Sequence, residues 1–361
     1  MQSEPMQSGA TVAMRALSVF FLSLTVAVLF SSSSGAATVR EERPKMGSPF
    51  AVTAVHHDDA MARAAVEAAF AEIDRIEARI SSWRGDSETS ALRRHAGQGP
   101  FVVSEELFGL IRRSLSISQL TGGAFDVTFA GVGDLWDFKA PTPRLPDPDV
   151  LRRRLELVDY RLVKLDGERS TVELPKAGMA IGFGAIGKGY AANRAVHIMK
   201  AMGIESGLVN AGGDLVAFGR QESGEPWTLG IADPLRPDSL FARLRLVDQA
   251  VVTSGDYERY VEIDGVRYAH ILDPRTGMPV RGVRSVTVVC PDGELADGLA
   301  TSVFVLGVDE GLRLVDTLRG VEALVIDDEG RLHPSSGFLT HNLRSRDTPS
   351  PPETGALKEP L

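Results

Sequence analysis

The sequence predicts an α+β fold, in which antiparallel sheets built of hairpins pack against helices. The first observation is Asp264-Gly265, which lies between two apolar strand candidates, residues 260–263 and 266–271. Asp-Gly at such a place is typical of a two-residue hairpin turn. The second is that helical periodicity occurs in a few long segments between hairpins. The regular alternation of strand and helix that marks a doubly wound parallel sheet is therefore missing.

Composition limits the classes of function. The chain has 361 residues, is 43% hydrophobic and carries a net charge of −9. This length and apolar content suffice for a sizeable core in one large or two modest domains. The acidic balance and the lack of a basic run argue against a nucleic-acid partner. A single cysteine, Cys290, excludes an internal disulfide and a zinc site built from several cysteines.

The two ends of the chain differ from its body. Arg15 precedes an apolar run, residues 16–30, and small residues follow as far as Ala37. This order predicts a signal peptide or an uncleaved N-terminal anchor over residues 1–37. We therefore expect an exported protein, either periplasmic or anchored to the outer face of the inner membrane through residues 16–30. Residues 38–343 are predicted to form the folded domain, and the polar, proline-rich residues 344–361 a disordered tail.

Two long helices are predicted in the first half of the body. Residues 58–80 carry apolar side chains at helical spacing, and a second helix begins after Ser104 and ends at Gly122. The segment between them, residues 81–90, is predicted to be a polar loop that carries Trp83. A tryptophan in a loop either covers the core or offers a stacking surface to a flat ligand.

A glycine-rich stretch, Gly182-Phe-Gly-Ala-Ile-Gly-Lys-Gly189, stands before a predicted helix. It is either a turn without a ligand or a cradle for a phosphorylated cofactor, since free N–H groups and Lys188 favour anions there. The stretch partly fits two known phosphate-binding patterns. Gly189 stands where a P-loop needs Ser or Thr, and the hairpin pattern argues against a dinucleotide fold.

Three further sites hold side chains of the types that bind metals, transfer protons or bind ligands. Asp297 and Thr301 are four residues apart on a predicted helix, where they either form an oxygen-ligand site for Mg²⁺ or merely serve as a helix cap or part of a solvated face. His270, at a strand end, is either a general base or a locally hydrogen-bonded side chain. Asp126 either binds a ligand hydroxyl or caps the next turn.

Eight short motifs, in order along the chain, resemble those of the ApbE family, the FAD:protein FMN transferases. The motifs are Met46-Gly-Ser-Pro-Phe50, Ser82-Trp83 with Ser87-Glu88, Thr121-Gly-Gly-Ala-Phe-Asp-Val-Thr128, Ala185-Ile-Gly-Lys-Gly-Tyr190, Asn210-Ala-Gly-Gly-Asp214, Thr253-Ser-Gly-Asp-Tyr257, His270-Ile-Leu-Asp-Pro-Arg-Thr-Gly277 and Ala296-Asp-Gly-Leu-Ala-Thr301.

The resemblance implies an ApbE-like fold with the flavin in a groove between two subdomains. It implies Mg²⁺-dependent transfer of FMN from FAD to a threonine hydroxyl of an acceptor flavoprotein, with release of AMP. The FAD contacts it implies are Met46, Trp83, Ala124, Phe125, Asp126, Gly182, Lys188 and Ile271. The metal ligands it implies are the Ala185 carbonyl, Asp297 and Thr301, and His270 matches the histidine needed for transfer.

Gly182 departs from the family, which usually has an aspartate there, so that carboxylate contact with FAD is absent. Asn193 likewise replaces a common aspartate. Two other functions stay open at this point: an FAD pyrophosphatase that gives free FMN and AMP, and a non-enzymatic flavin-binding protein. The presence of His270, Asp297 and Thr301 favours an enzyme over a binding protein.

Overall fold

A computed structural model describes residues 37–140, 142–233 and 236–338. Its centre is an eight-stranded sheet in which every neighbouring pair is antiparallel. Elements are numbered in chain order. In spatial order the strands are β1 (Ala37–Lys45), β2 (Ser48–His56), β6 (Ser206–Ala211), β7 (Asp214–Phe218), β10 (Gln249–Gly255), β15 (Val283–Cys290), β16 (Glu322–Asp327) and β17 (Leu332–Pro334).

Three long helices cover one face of this sheet, and shorter helices lie in the connections. The helices are α1 (Asp59–Ile80), α2 (Glu88–His95), α3 (Glu105–Leu120), α4 (Ala130–Gly133), α5 (Pro148–Leu155), α6 (Gly187–Ala201) and α7 (Gly293–Val315). Helices α1, α6 and α7 pack side by side and against the sheet. Helix α7 is broken at Gly307, whose φ of 79° belongs to the left-handed region that glycine tolerates.

The sheet buries apolar side chains on both faces. Successive residues of a strand point to opposite sides, and β15 shows this clearly: Val288 joins the core under the helices, while Val289 joins a second core. The second core is closed by a hairpin of β8 (Trp227–Asp233) and β9 (Arg236–Leu246), together with Phe338. The molecule thus has three layers in this part: helices, central sheet and hairpin.

The remaining strands form small sheets in the connections. They are β3 (Phe101–Val102) with β5 (Thr171–Glu173) and β4 (Lys164–Asp166), β11 (Tyr260–Ile263) with β12 (Val266–Ala269), and β13 (Leu272–Asp273) with β14 (Met278–Pro279). The Asp264-Gly265 hairpin is present as predicted, because β11 and β12 pair around it.

The α+β prediction is confirmed, and some local predictions are wrong. The segment 81–90 is not all loop, since Ser87 caps α2 and accepts a hydrogen bond from the N–H of Ser90. The sequence also predicts a first strand over residues 46–55, and β2 covers most of it, but β1 precedes it unpredicted and Met46-Gly47 form the turn between the two. Helix α6 begins at Gly187, three residues earlier than predicted.

The predictions for residues 1–36 and for the tail concern residues outside the described part of the chain. Among the helices that are described, none has the length and apolar character needed to cross a bilayer. The predicted anchor segment, residues 16–30, lies outside the described ranges.

Candidate active site

Two helices meet backbone to backbone at the glycine-rich stretch. A Cβ on Gly189 would lie 2.0 Å from the carbonyl oxygen of Gly293, at the start of α7, so only glycine allows this approach. A Cβ on Gly187 would lie 3.3 Å from Ile80 and 3.5 Å from Met46. These two glycines therefore place Lys188, which stands between them, beside both α7 and the Met46-Gly47 turn.

Lys188 is held by a buried carboxylate. Its Nζ lies 2.6 Å from Oδ2 of Asp214, which is 1% exposed at the start of β7. Burial works against the charge of Lys188, but Asp214 and Asp297 nearby outweigh burial and raise its pKa. Lys188 is thus a fixed positive charge at neutral pH.

Asp297 lies on α7 beside Lys188. It is 3% exposed, so the alternative of a solvated helix face is excluded. Its Oδ2 accepts a hydrogen bond of 3.0 Å from the N–H of Gly189. Asp297 is thereby tied to the first turn of α6, which follows directly after Ala185 and Ile186. The Ala185 carbonyl as a second metal ligand stays a prediction.

Several carboxyl groups with raised pKa values lie around Lys188. Burial, and then the nearby Asp214, raise the pKa of Asp297 to about 7. Burial also raises the pKa of Glu258, although the residue as a whole is exposed to solvent. The charges of Lys188 and Asp214 act on this carboxyl group as well. Three carboxyl groups thus share one ammonium group, and their raised pKa values mean that part of them is protonated near neutral pH. A bound cation would favour their charged forms.

A magnesium ion fits this oxygen-rich turn. The donor set consists of the Asp297 carboxylate, the half-buried Thr301 hydroxyl one helical turn later, and the Ala185 carbonyl. Mg²⁺ prefers such hard oxygen ligands and commonly completes its shell with water and substrate phosphates. Within the described ranges, no three His, Cys, Asp or Glu side chains gather closely enough to hold a metal by themselves. The magnesium site stays a prediction.

His270 is oriented by the backbone of Arg259. Both the N–H and Nδ1 of His270 lie near the Arg259 carbonyl oxygen, at 3.0 Å and 3.2 Å. A carbonyl only accepts hydrogen bonds, so the proton is assigned to Nδ1, and Nε2 keeps its lone pair. Burial, together with the charges of Arg259 and Lys188, lowers the pKa of the half-buried His270 to about 4. The imidazole is therefore neutral at pH 7, as a base must be.

Met46 stands in the β1–β2 turn next to the start of α6, and Trp83 stands in the turn between α1 and α2. Met46 has a φ of 49°, an uncommon value for a residue other than glycine, and its N–H donates to Glu77 at 2.9 Å. Trp83 follows α1 and is 89% exposed, so it does not cover the core. A largely exposed indole is compatible with the stacking role that the sequence left open, and its place beside the flavin stays a prediction.

The loop after α3 approaches the glycine-rich stretch. Ala124 and Phe125 are buried, and Asp126 caps the short 3₁₀ turn Val127–Phe129. Both carboxylate oxygens of Asp126 accept hydrogen bonds, from Thr128 and from the N–H of Tyr160. The capping alternative for Asp126 is thus observed, whereas its contact with FAD stays a prediction.

The space around Gly182 leaves no room for a side chain. Its N–H donates to the Val127 carbonyl at 2.9 Å, and a Cβ would lie 2.7 Å from the Cβ of Ala130. The methyl group of Ala130 thus occupies the space that the family's usual aspartate would enter. Ile271, the last predicted FAD contact, is 6% exposed next to His270. Neither position is tested as an FAD contact.

Three residues near the site were not among the predicted ones: Asp214, Glu258 and Arg259. Asp214 ends the Asn210–Asp214 motif, and the other two directly follow the Thr253–Tyr257 motif. Their charged side chains beside glycine-lined turns were a usable signal. Their common proximity to Lys188 and His270 follows only from the tertiary structure.

Comparison with known proteins gives consistent results. The model of the ApbE family matches residues 46–325. A protein of Treponema pallidum named FAD:protein FMN transferase is 38% identical over 76% of this chain and 80% of its own length. A Klebsiella pneumoniae protein with the same name is 34% identical over 78% of this chain and 86% of its own length.

Solved structures agree with this result. The ApbE protein of Thermotoga maritima superposes with a TM-score of 0.80 and 32% sequence identity, covering 85% of this chain and all of that one. The flavin transferase ApbE of Vibrio cholerae superposes with a TM-score of 0.77 and 28% identity, covering 85% of this chain and 99% of its own.

Proposed function

The chain belongs to the ApbE family, as its motifs predicted, and from this premise we propose that it transfers FMN from FAD to a protein. The acceptor group is a threonine hydroxyl of a flavoprotein, and AMP is the second product. The relatives named FAD:protein FMN transferase support the activity. The observation that carries the proposal is His270, a neutral imidazole with a free Nε2, beside the positively charged Lys188.

The reaction needs negative charge to be neutralised on a diphosphate. Lys188 supplies a permanent positive charge at the first turn of α6, at the end of the helix where the helix dipole also favours anions. When bound by Asp297, Thr301 and the Ala185 carbonyl, Mg²⁺ would add positive charge at the phosphate oxygens. The excess of carboxyl groups around Lys188 supports such a site.

The acceptor hydroxyl needs a base. His270 Nε2 takes the hydroxyl proton, while the hydroxyl oxygen forms a bond to the phosphorus on the FMN side of FAD. The bond from that phosphorus to the bridging oxygen breaks, and AMP leaves with the electron pair. The Arg259 carbonyl holds Nδ1–H throughout and so keeps Nε2 directed to the reaction. No covalent enzyme intermediate is required.

The isoalloxazine ring is proposed to lie against the residues of the turns around α6: Met46, Trp83, Ala124, Phe125, Asp126 and Ile271. The exposed indole of Trp83 supports stacking on this ring. Because Ala130 fills the space beside Gly182, FAD makes no side-chain contact at Gly182 here. The export of the protein, and an anchor at residues 16–30, are part of the same proposal.

One assay separates the candidate functions. The purified protein is incubated with FAD, MgCl₂ and a candidate acceptor domain, and the products are followed as AMP and as fluorescent acceptor on a denaturing gel. We expect a labelled acceptor, and no label on a Thr→Val variant of its target residue. Free FMN with AMP and no labelled acceptor would identify a pyrophosphatase. Bound FAD without AMP release would leave only a binding protein.

A further inference from the structure

Arg259 reaches across the mouth of the site without a carboxylate partner. It precedes β11, and its Nη2 lies 3.4 Å from the carbonyl oxygen of Gly47 in the β1–β2 turn. Its side chain is exposed. Within the described part of the chain, no Asp or Glu lies within ion-pair distance of it. It is therefore a cation that the protein itself does not neutralise.

The neighbouring arginines of this region are engaged differently. The guanidinium of Arg267 stacks over the ring of Tyr260 at 3.7 Å, and its Nη2 donates to the carbonyl oxygen of Asp256 at 3.0 Å. Arg275 makes a two-pronged contact with the carboxylate of Asp273. Arg259 differs from both, because its contact with Gly47 is long and weak and can be exchanged for a better acceptor.

The surroundings of Arg259 place it at the reaction centre. Its own carbonyl holds His270, and its side chain lies beside the turn that carries Met46. The positive charges of Arg259 and Lys188 also contribute to the lowered pKa of His270, in keeping with this placement. A phosphoryl group attacked by a hydroxyl that gives its proton to His270 must come close to these cations.

We propose that Arg259 is a further catalytic residue, which binds the non-bridging oxygens of the phosphoryl group that is transferred. This inference rests on the proposed function. A guanidinium group presents a planar pair of N–H donors that match two phosphate oxygens, and an unpaired one can do so without first breaking an ion pair. The charge on these oxygens changes as the bridging bond breaks. Arg259 therefore stabilises the transition state more strongly than it stabilises the ground state, in which FAD is bound.

Arg259→Ala tests the proposal, with Arg267→Ala as the matched control on the same hairpin. FAD affinity is measured by titration of flavin fluorescence, and turnover by AMP release with FAD, MgCl₂ and the acceptor domain. For Arg259→Ala we expect kcat to fall roughly 10²- to 10³-fold while the Kd for FAD changes less than about threefold. Arg267→Ala is expected to stay within about twofold of the unmodified protein in both quantities.

The outcomes separate this proposal from the proposed function. If the unmodified protein releases AMP and Arg259→Ala does so at a similar rate, the role of Arg259 is overturned and the transferase assignment stands. A loss confined to FAD affinity also overturns it. If the unmodified protein releases no AMP, the proposed function fails, and the role of Arg259 with it.

A second variant and a rescue experiment guard against misfolding. Arg259→Lys keeps the charge but not the planar pair of donors, so its kcat should lie between those of Arg259→Ala and the unmodified protein. Added guanidinium ion at millimolar concentration should restore part of the turnover of Arg259→Ala and none of that of His270→Ala. Equal activity of Arg259→Lys and Arg259→Ala, or an absence of rescue in a folded Arg259→Ala, contradicts the proposal.

Discussion

The two sides of the site are built differently. On the α6–α7 side, Lys188, Asp214 and Asp297 form a buried charge cluster held by a backbone contact between helices. On the other side, His270 is half-buried and Arg259 exposed, and a two-residue strand and a hairpin position them. The difference separates two tasks. A rigid buried side is suited to hold a cation and a diphosphate, while an accessible side allows a protein acceptor to reach the base.

The largest expected effect is on stability and concerns the buried side. Asp214→Ala would leave the ammonium group of Lys188 without its 2.6 Å partner, and removing one member of a buried pair costs about 3–5 kcal/mol. Asp297 nearby should keep the loss at the lower end. Urea denaturation measures it, with Asp273→Ala, which breaks the more exposed pair with Arg275, as the control. The control should lose at most about 1 kcal/mol.

Equal losses in the free energy of unfolding would mean that the Lys188–Asp214 pair contributes no more to stability than a surface ion pair. The contrast between the two sides would then be wrong.

The steric contact between Gly182 and Ala130, in two packed loops, is testable with a pair of variants. Gly182→Asp restores the family's usual residue but places a Cβ 2.7 Å from Ala130, and such overpacking costs about 1–3 kcal/mol. In the double variant with Ala130→Gly, most of that loss should be recovered. A double-mutant cycle by urea denaturation measures the coupling. Additive losses would show that Ala130 is not what excludes a side chain at position 182.

Trp136 and Trp83 allow a buried tryptophan to be compared with an exposed one. Trp136 is 6% exposed and its Nε1 donates to the Gly277 carbonyl at 2.9 Å, so Trp136→Ala should cost about 3–5 kcal/mol of stability. Trp83→Ala should change stability by less than about 0.5 kcal/mol. It should instead weaken FAD binding by about 0.5–1.5 kcal/mol through lost stacking. Unchanged FAD affinity of Trp83→Ala would remove Trp83 from the flavin site.

The smallest effect is a shift in the pKa of His270, on the accessible side of the site. Burial and the two nearby cations lower the pKa of His270 to about 4, against an ordinary value of about 6.5. Its imidazole should therefore remain neutral as the pH falls to about 5, where an ordinary histidine is mostly protonated. NMR titration of histidine-labelled protein without ligands measures this, and His270→Gln assigns the signal. A midpoint near 6.5 would contradict the description of the ring's surroundings.

The sequence singled out candidate site residues and helices more readily than strands of the central sheet. Lys188, His270 and Asp297 belong to short motifs, and the helices predicted over residues 58–80 and after Ser104 are α1 and α3. Strands β7 and β10 were missed because the motifs that contain their ends are rich in glycine and read as turns. Local propensity describes neighbours in the chain, whereas a strand of a central sheet is decided by its partners.

Contacts between distant segments were also beyond prediction. The Lys188–Asp214 pair joins a helix start to a strand start, and the Arg259–Gly47 contact spans 212 residues of sequence. The fit of Ala130 against Gly182 is of the same kind. Such proximity depends on how the layers pack, and no spacing within a single motif encodes it.

The central claim is that one side of the site binds and the other reacts. FAD titration with MgCl₂, followed by AMP release in the presence of the acceptor domain, should be compared for His270→Ala and Asp297→Ala. His270→Ala should bind FAD as the unmodified protein does and lose about 10²- to 10⁴-fold in kcat. Asp297→Ala should lose the Mg²⁺-dependent part of FAD binding. Full turnover by His270→Ala, or unchanged Mg²⁺ dependence in Asp297→Ala, would contradict the account.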